Sequence, residues 1–193
     1  PPYEQAKGTD WYKGTANAIY QNISFIDSYD PEYVIILSGD QICKQDYADF
    51  LRFHKEKGAE FSVAVMEVDW KEASRFGLMV ADENDKITEF QEKPPVPKSN
   101  LASMGIYIFN WDVLKKYLEE DEADPNSKND FGMNIIPALL RDGRKMYAYH
   151  FNGYWRDVGT IDSLWEANME VLDPENSGID IFDKKWKIYS RNP

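Results

Sequence analysis

Short apolar runs alternate with amphipathic stretches along this chain, and the clearest run is residues 34–37. These four consecutive apolar residues are typical of a strand buried on both faces of a parallel sheet. Ser38-Gly39 ends the run, so Asp40 is expected just beyond the carboxyl end of a central strand. Open α/β sheets bind their ligands at that edge. The residues alone leave two readings of Asp40 open, a ligand for a divalent metal and a turn aspartate satisfying its own backbone.

Helical periodicity flanks this strand on both sides. A first helix is predicted to begin at Thr15 and a second after Asp46, with Gly58 ending the second. Apolar and boundary residues recur at helical spacing in them, at Ile19, Ile23 and Ile26 and then at Tyr47, Phe50, Leu51 and His54. A strand follows over residues 61–68, and this alternation predicts parallel pairing with right-handed crossovers. Gly14 and Thr15 are either an ordinary capped helix entry, which is favoured, or backbone donors to a ligand.

The second half of the chain mixes hairpin, strand and helix signals. The predicted elements are a hairpin of residues 76–80 and 86–90, strands at 102–109, 145–151 and 154–158, helices after Asn110, near Ile135 and after Thr160, and a polar loop at 119–130. Asp157 ends its strand as Asp40 does, so the two could share one metal if they meet. Glu92-Lys93 precedes a stiff proline-rich loop and fits either a grip on a polyol phosphate or a solvated surface pair.

The composition narrows the function classes. The formal charge of −12 without a basic run disfavours nucleic acid as a partner. The single cysteine, Cys43, fits a reducing compartment, so we expect a cytoplasmic protein, and two histidines are too few for a His/Cys zinc site. No apolar stretch suggests a membrane span and no signal peptide is visible. The ends, Pro1-Pro2 and Asn192-Pro193, indicate an internal piece of a longer polypeptide.

Six motifs in a fixed order make the chain recognisable. They are WYKGTANAIYQN, ILSGDQICKQDY, EASRFGLMVADENDKITEFQEKP, LASMGIYIFN, NDFGMNIIP and GYWRDVGTIDSLWEANMEVL. Together, from about Trp11 to Leu172, they closely resemble the glucose-1-phosphate adenylyltransferases (ADP-glucose pyrophosphorylases) of bacterial glycogen synthesis. The ordered set is specific, although each short motif alone is not.

The resemblance implies an α/β fold with a Rossmann-like, mixed but mostly parallel sheet, incomplete at its N-terminus. It implies a partial catalytic domain over residues 1–172, then a linker at 173–193 toward an absent β-helix domain. The implied reaction converts ATP and α-D-glucose 1-phosphate into ADP-glucose and pyrophosphate with Mg²⁺, in a homotetramer when the protein is full length. By motif, Tyr12, Gly77, Glu92, Lys93 and Ser103 would bind the sugar phosphate or product, Gly14 and Thr15 the nucleotide, and Asp40 and Asp157 the metal, with Asp40 also catalytic.

Several features depart from that family. Gln41 and Cys43 stand where the family usually has His and Tyr, and Asn17 stands where Asp is frequent. A glycine-rich loop with a catalytic arginine (GGxGxRL) belongs upstream of Pro1, so we expect the isolated piece to be inactive. Two alternatives stay open at this point, a non-catalytic regulatory subunit that binds sugar nucleotide and a related sugar nucleotidyltransferase with another base or sugar.

Overall fold

A computed structural model describes residues 12–188. The expectations for residues 1–11, which include Trp11 of the first motif, and for residues 189–193 lie outside the described residues. The described chain divides into two compact units. Unit 1 contains residues 12–37 and 48–150, and unit 2 contains residues 38–47 and 151–188.

Eight strands and seven helices are described. The strands are β1 (Tyr33–Ile36), β2 (Gln41–Cys43), β3 (Phe61–Glu67), β4 (Gly77–Ala81), β5 (Ile87–Glu92), β6 (Leu101–Asn110), β7 (Met146–His150) and β8 (Trp155–Asp157). The helices are α1 (Thr15–Tyr20), α2 (Ile23–Asp27), α3 (Tyr47–Glu56), α4 (Trp111–Ala123), α5 (Ile136–Arg141), α6 (Ile161–Val171) and α7 (Pro174–Ser177). A short 3-10 turn at Ala73–Arg75 and a π-helical turn at Phe131–Ile135 complete the set.

Unit 1 is built on a six-stranded mixed sheet of order β5-β4-β6-β3-β7, with β1 also paired to β6. The predicted mixed α/β class is confirmed, but the pairing in the described residues is mostly antiparallel, since only β3 and β7 pair in parallel. The crossover from β1 to β3 does make those strands run in the same direction. The long strand β6 lies between them and is antiparallel to both, which the order of elements along the chain could not reveal.

The strand that precedes Asp40 lies at an edge of the described sheet. Within residues 12–188, β1 pairs only with β6. Ile35 is 37% exposed and Leu37 is 50% exposed, which corrects the prediction of a central strand buried on both faces. Strand β3 is buried over most of its length instead, with Phe61 to Val65 all inaccessible to solvent. An apolar run therefore predicted a strand correctly without predicting its place in the sheet.

The helix limits agree with those predicted from the sequence at several points and differ from them at three. The helix predicted from Thr15 is two short helices, because Asn22 between them leaves helical geometry and its side-chain amide donates to the carbonyl of Ala18. Gly14, not Thr15, occupies the cap position of α1. Helix α4 continues to Ala123, into the segment predicted as a polar loop.

The predicted limits of α3 and the cap of α6 are confirmed. Helix α3 begins directly after Asp46, and Gly58 follows it with a φ of 57°. Thr160 caps α6 by accepting a hydrogen bond from the backbone N–H of Ser163. Local cap and glycine signals predicted these ends because their partners lie within a few residues.

His54 ties α3 to the sheet from inside the core. The residue is 0% exposed, which corrects its prediction as a boundary residue. Its Nδ1 lies 2.8 Å from Ser62 Oγ and its Nε2 lies 2.9 Å from Asn110 Oδ1. Both ring nitrogens therefore have partners, so burial of the imidazole is compensated.

Unit 2 is a small β-ribbon with two helices. Strands β2 and β8 pair antiparallel with Gln41 opposite Asp157, and α6 and α7 follow in sequence. Lys44 holds the last described segment, since its Nζ lies 3.3 Å from Asp183 Oδ2 and 5.2 Å from the centroid of the Trp186 ring. The domain boundary at Leu172 stays a prediction. No helix within residues 12–188 is long and apolar enough to cross a membrane.

Candidate functional site

The carboxylate of Glu92 packs closely against two glycines in unit 1, Gly77 and Gly132, and the space that they leave for it is called the Glu92 seat. Glu92 ends β5 directly opposite Gly77 on β4. A Cβ atom on Gly77 would lie 3.1 Å from Glu92 Oε2, and one on Gly132 would lie 2.7 Å from the same oxygen. A larger residue at Gly132 would therefore displace the carboxylate. The hairpin register and the turn at Phe131–Ile135 together fix where this carboxylate stands.

Asp130 connects the Glu92 seat to the start of α1. Its Oδ1 accepts a hydrogen bond of 2.9 Å from the Met133 N–H and so caps the π-helical turn. Its Oδ2 accepts one of 3.1 Å from the Thr15 hydroxyl, which in turn accepts from the Phe131 N–H at 3.3 Å. Thr15 is thus held by the segment that carries Gly132.

Ser103 and Tyr107 reach the same group from β6. The register between β3 and β6 places Val63 opposite Tyr107 and Val65 opposite Ser103, so β6 carries an irregularity between these two residues. Gly105 lies within it with a φ of 68°, and its N–H donates to Ser103 Oγ at 3.2 Å. This bulge allows Ser103 to hydrogen-bond with Tyr107 on one face of the strand.

The electrostatics of this group raise two pKa values. Desolvation raises the pKa of Glu92, and the charge of Asp130 acts in the same direction while the charge of Lys93 opposes it. Desolvation raises the pKa of Tyr107 to about 12, with the Ser103 hydrogen bond opposing and the charges of Asp130 and Glu92 adding to the shift. The neighbouring carboxylates of Glu92 and Asp130 therefore favour a ligand that brings hydrogen-bond donors.

Lys93 stands beside the seat on an unusual backbone. Its φ is 43°, in the left-handed region that few non-glycine residues adopt, and its N–H donates to the Phe76 carbonyl at 3.2 Å. Such a conformation costs free energy and persists where the surroundings fix it, which is common at ligand-binding positions. The proline-rich loop begins immediately after it, and Pro94 is buried.

Gly14 and Tyr12 are placed at the entry to α1. A Cβ atom on Gly14 would lie 2.4 Å from the carbonyl oxygen of Asn129, which also accepts the N–H of Ala16 at 2.9 Å. A glycine is therefore needed at position 14 because the backbone of Asn129 approaches it closely. The Ala16 N–H at the start of the helix already donates to a protein acceptor. Tyr12 is half-buried in the extended segment before the helix. The predicted nucleotide role of Gly14 and Thr15 stays a prediction.

Unit 2 brings Asp40 and Asp157 together. The Val158 N–H donates to the Asp40 carbonyl at 2.9 Å, which extends the pairing of β2 and β8 by one step. Asp157 Oδ1 would lie 3.0 Å from a Cβ atom built on Gly159, and Asp40 Oδ2 would lie 3.6 Å from the same point. The Gly159 N–H holds Asp157 Oδ1 at 2.8 Å, and the Ser38 hydroxyl donates to Asp40 Oδ1. The two carboxylates therefore face one small space.

Glu92, Lys93, Ser103, Tyr107 and Asp130 form the Glu92 group, and the sequence analysis missed two of its members. Asp130 was assigned to a polar loop without visible chemistry, and Tyr107 was counted as an apolar strand residue. A local signal existed for Asp130, since an aspartate immediately before a helical stretch suggests a cap. Its proximity to Glu92 depends on partners distant in the chain, so the sequence could not show it.

The two sites differ in what they suit. The Glu92 group offers carboxylates, hydroxyls and one lysine, which suit a ligand with several hydroxyl groups and a negative charge. The Asp40–Asp157 pair suits a divalent cation, since Mg²⁺ is commonly held by one or two carboxylates together with phosphate oxygens. No group of three or more His, Cys, Asp or Glu side chains in the described part of the chain is arranged to hold a metal by itself.

Comparison with known proteins gives a consistent result. A family model described as nucleotidyl transferase matches residues 2–174. The chain is 66% identical over 193 residues to glucose-1-phosphate adenylyltransferase of Clostridium beijerinckii and 65% identical to that of Clostridium acetobutylicum. It is 58% identical to the enzyme of that name from Geobacillus stearothermophilus. Each match covers the whole chain but only 50% of the relative, so the chain spans about half the length of these curated relatives.

Proposed function

Because the chain belongs to the nucleotidyl transferase family, we propose that it is the sugar-phosphate-binding part of a glucose-1-phosphate adenylyltransferase. The whole protein would convert ATP and α-D-glucose 1-phosphate into ADP-glucose and pyrophosphate for glycogen synthesis. Relatives of that name support this at 58–66% identity. The observation that carries it is the Glu92 carboxylate held against Gly77 and Gly132 next to Lys93. We further propose a cytoplasmic protein that is homotetrameric at full length.

The Glu92 group would bind the glucose 1-phosphate. The ionised carboxylate of Glu92 accepts hydrogen bonds from sugar hydroxyls, and the Ser103 hydroxyl either donates or accepts. Lys93 supplies a compact positive charge for the phosphate. The strained backbone of Lys93 and the prolines after it fix that charge in advance, so little ordering is needed on binding.

The Asp40–Asp157 pair would hold Mg²⁺. The residues present fit this ion, because the oxygens of two carboxylates face one small space and carboxylate oxygens are the ligands that Mg²⁺ prefers. When bound, Mg²⁺ neutralises and orients phosphate oxygens. Ser38 and the Gly159 N–H hold the two carboxylates in place by hydrogen bonds. Asp40 and Asp157 therefore act as positioned anions rather than as bases.

The reaction needs alignment more than acid–base chemistry. A phosphate oxygen of glucose 1-phosphate attacks the α-phosphorus of ATP, and the bond to the β-phosphate oxygen breaks as pyrophosphate leaves. The attacking oxygen is already charged, so no proton has to be removed. The chain's part is to hold that phosphate on Lys93 and the sugar ring on Glu92 and Ser103 in a fixed orientation, which lowers the entropic cost of the displacement. Tyr12, Gly14 and Thr15 stay predicted contacts.

A binding and turnover experiment tests this function. Titration calorimetry with the chain should show glucose 1-phosphate binding that weakens strongly in Glu92→Gln and not in Gln91→Asn, its neighbour on β5. The full-length protein should release pyrophosphate from ATP and glucose 1-phosphate with Mg²⁺. Preference for another nucleoside triphosphate would favour a related sugar nucleotidyltransferase instead. Sugar nucleotide binding without turnover would identify a regulatory subunit.

A further inference from the structure

We propose that Asn17 is a positioning residue for the sugar-phosphate site, acting through Glu122 on the segment of residues 129–132. That segment carries the second of the two glycines that pack against the Glu92 carboxylate. The inference rests on the proposed function, because the ligand expected at Glu92 is the one proposed there. It adds a residue that lies outside the Glu92 group and to which the motif resemblance gives no role.

Asn17 connects the start of α1 to the end of α4 from a buried position. Only 2% of the residue is exposed. Its Oδ1 accepts a hydrogen bond of 3.2 Å from the Lys13 N–H, and its Nδ2 donates one of 2.9 Å to Glu122 Oε2. The charge of the carboxylate strengthens the second bond. An aspartate in place of Asn17 could keep the first bond but not the second, because an ionised carboxylate has no donor.

Glu122 also holds Asn129, the first residue of the segment. Asn129 is 8% exposed, and its Nδ2 donates to the same Glu122 oxygen at 3.4 Å and to Asp121 Oδ2 at 3.1 Å. Its φ of 53° lies in the left-handed region, so the surroundings must fix this backbone. The Asn129 carbonyl accepts the Ala16 N–H at 2.9 Å. The segment is therefore held by α4 on one side and by α1 on the other.

The residues that follow Asn129 reach the Glu92 carboxylate. Asp130 is tied to α1 by the Thr15 hydroxyl at 3.1 Å. A Cβ atom on Gly132 would lie only 2.7 Å from Glu92 Oε2, so the segment leaves the carboxylate little room to move. Closely packed groups transmit small displacements to their neighbours. A hydrogen bond between α1 and α4 can therefore set the position of a carboxylate that neither helix carries.

An exchange of nearly identical shape tests the inference. Asn17→Asp keeps the acceptor for the Lys13 N–H but places a second carboxylate against Glu122. We expect it to weaken binding of glucose 1-phosphate to the 193-residue chain about tenfold in titration calorimetry. The family frequently has Asp at this position, so such a loss would show that the pairing with Glu122 makes the amide necessary in this chain.

A compensating exchange provides the rescue. Asn17→Asp combined with Glu122→Gln places a donor opposite an acceptor again, and Asn129 keeps its hydrogen bond to Asp121. The double variant should return to within about twofold of the wild-type dissociation constant. A loss that persists in the double variant would contradict the route through Glu122.

Asn22→Asp is the matched control. Asn22 lies between α1 and α2, and its side-chain amide donates to the Ala18 carbonyl at 2.8 Å. Its hydrogen bonds in the described chain stay within these two helices. Asn22→Asp should therefore keep the wild-type affinity even if its melting temperature falls. Equal weakening in Asn22→Asp and Asn17→Asp, or wild-type affinity in Asn17→Asp, would overturn the proposal.

A double-mutant cycle with Glu92 separates positioning from a general effect on stability. In a Glu92→Gln background, Asn17→Asp should weaken binding by less than a further threefold or so, since coupled residues are not additive. A full additional tenfold loss would mean that Asn17 acts on the whole fold and not on Glu92. Should Asn17→Asp fail to fold, Asn129→Gly replaces it, because glycine keeps the left-handed backbone and removes both amide bonds to α4. It should also weaken binding, and unchanged affinity would refute the inference.

The Glu92 variant also distinguishes this inference from the proposed function. If Glu92→Gln loses affinity while Asn17→Asp keeps it, only the role of Asn17 fails. If Glu92→Gln binds as the wild type does, or if the wild type binds no glucose 1-phosphate, the sugar-phosphate site itself fails and the role of Asn17 fails with it.

Discussion

At the scale of single residues, Lys93 is the proposed contact for the sugar phosphate. Its backbone is in the left-handed region, which is unfavourable for a lysine, and it directly follows Glu92, whose carboxylate is packed against Gly77 and Gly132. We expect Lys93→Ala in the full-length protein to raise the Michaelis constant for glucose 1-phosphate about tenfold to a hundredfold, because a charge-assisted contact is worth about 1.5–3 kcal/mol. The constant for ATP and the maximal rate should change little if the contact is equal in ground and transition states. Steady-state kinetics measure all three.

Lys98 provides the matched control for Lys93. It lies on the same loop and is exposed, but its side chain pairs with Glu89 at 2.6 Å. Lys98→Ala should therefore leave the sugar-phosphate constant within about twofold, as exposed ion pairs contribute little. An unchanged constant in Lys93→Ala would make Lys93 a solvated surface lysine.

Glu92 and Asp130 should couple in the pH dependence of binding. The pKa of Glu92 is raised by desolvation and then by the Asp130 charge. Acidification protonates Glu92, removes an acceptor for sugar hydroxyls and weakens binding, and this loss should begin at a higher pH than for an ordinary glutamate. Asp130→Asn removes the neighbouring charge, lowers the pKa of Glu92 and moves the midpoint to lower pH.

Affinity for glucose 1-phosphate, measured against pH by calorimetry, tests this coupling. Asp124→Asn serves as the control, because Asp124 starts the exposed turn after α4 and its hydrogen bonds in the described chain go to near neighbours, Asp121, Asn126 and Ser127. A midpoint that stays in place in Asp130→Asn would contradict the coupling.

At the scale of elements, His54 joins α3, β3 and β6 through Ser62 and Asn110. His54→Ala removes a buried ring and leaves both partners unsatisfied, so the free energy of unfolding should fall by about 2–4 kcal/mol. His150→Ala is the matched control. His150 is 49% exposed and pairs with Asp85 at 3.3 Å, so its loss should cost less than about 1 kcal/mol. Denaturant unfolding of both variants gives the comparison.

The same histidine predicts a pH effect on stability. Burial lowers the pKa of His54, and the Asn110 hydrogen bond only partly opposes this. The unfolded chain then binds a proton more readily than the folded one, so His54 contributes stability above its unfolded pKa of about 6.5 that is lost progressively as the pH falls below it. His54→Gln should flatten the decline in unfolding free energy between about pH 6.5 and 5. An equally steep decline in that variant would contradict the assignment.

At the scale of the whole chain, the two units should differ in resistance to opening. Unit 1 has residues 61–65 of β3 fully buried between β6 and β7, whereas unit 2 contains two strands of three residues, and Ala167 is the one buried residue of α6. Local stability follows buried apolar contacts and the number of protected backbone hydrogen bonds. Hydrogen exchange should therefore be slow at residues 61–65 and clearly faster at 155–157. Equal protection in the two segments would show that unit 2 is stabilised by more than its own core.

Much of the local structure could be predicted from residues that act over short distances. The alternation of apolar runs and helical stripes located the hairpin of β4 and β5, strand β6, and helices α3 and α6. Cap and turn residues located the ends at Gly58 and Thr160. The split between α1 and α2 was missed because Asn22 gives no strong break signal, and its effect depends on a side-chain hydrogen bond to Ala18.

The ordered motifs in the sequence determined the family and indicated the candidate residues, because six local strings in a fixed order are specific even though each one alone is not. Only the tertiary structure decided which residues meet. It inserted β6 between β1 and β3, set Glu92 against Gly132, joined Thr15 to Asp130 and turned Asp40 toward Asp157. These contacts depend on the pairing of strands and loops far apart along the chain, and the free energy of such pairing is a property of the packed molecule rather than of any one segment.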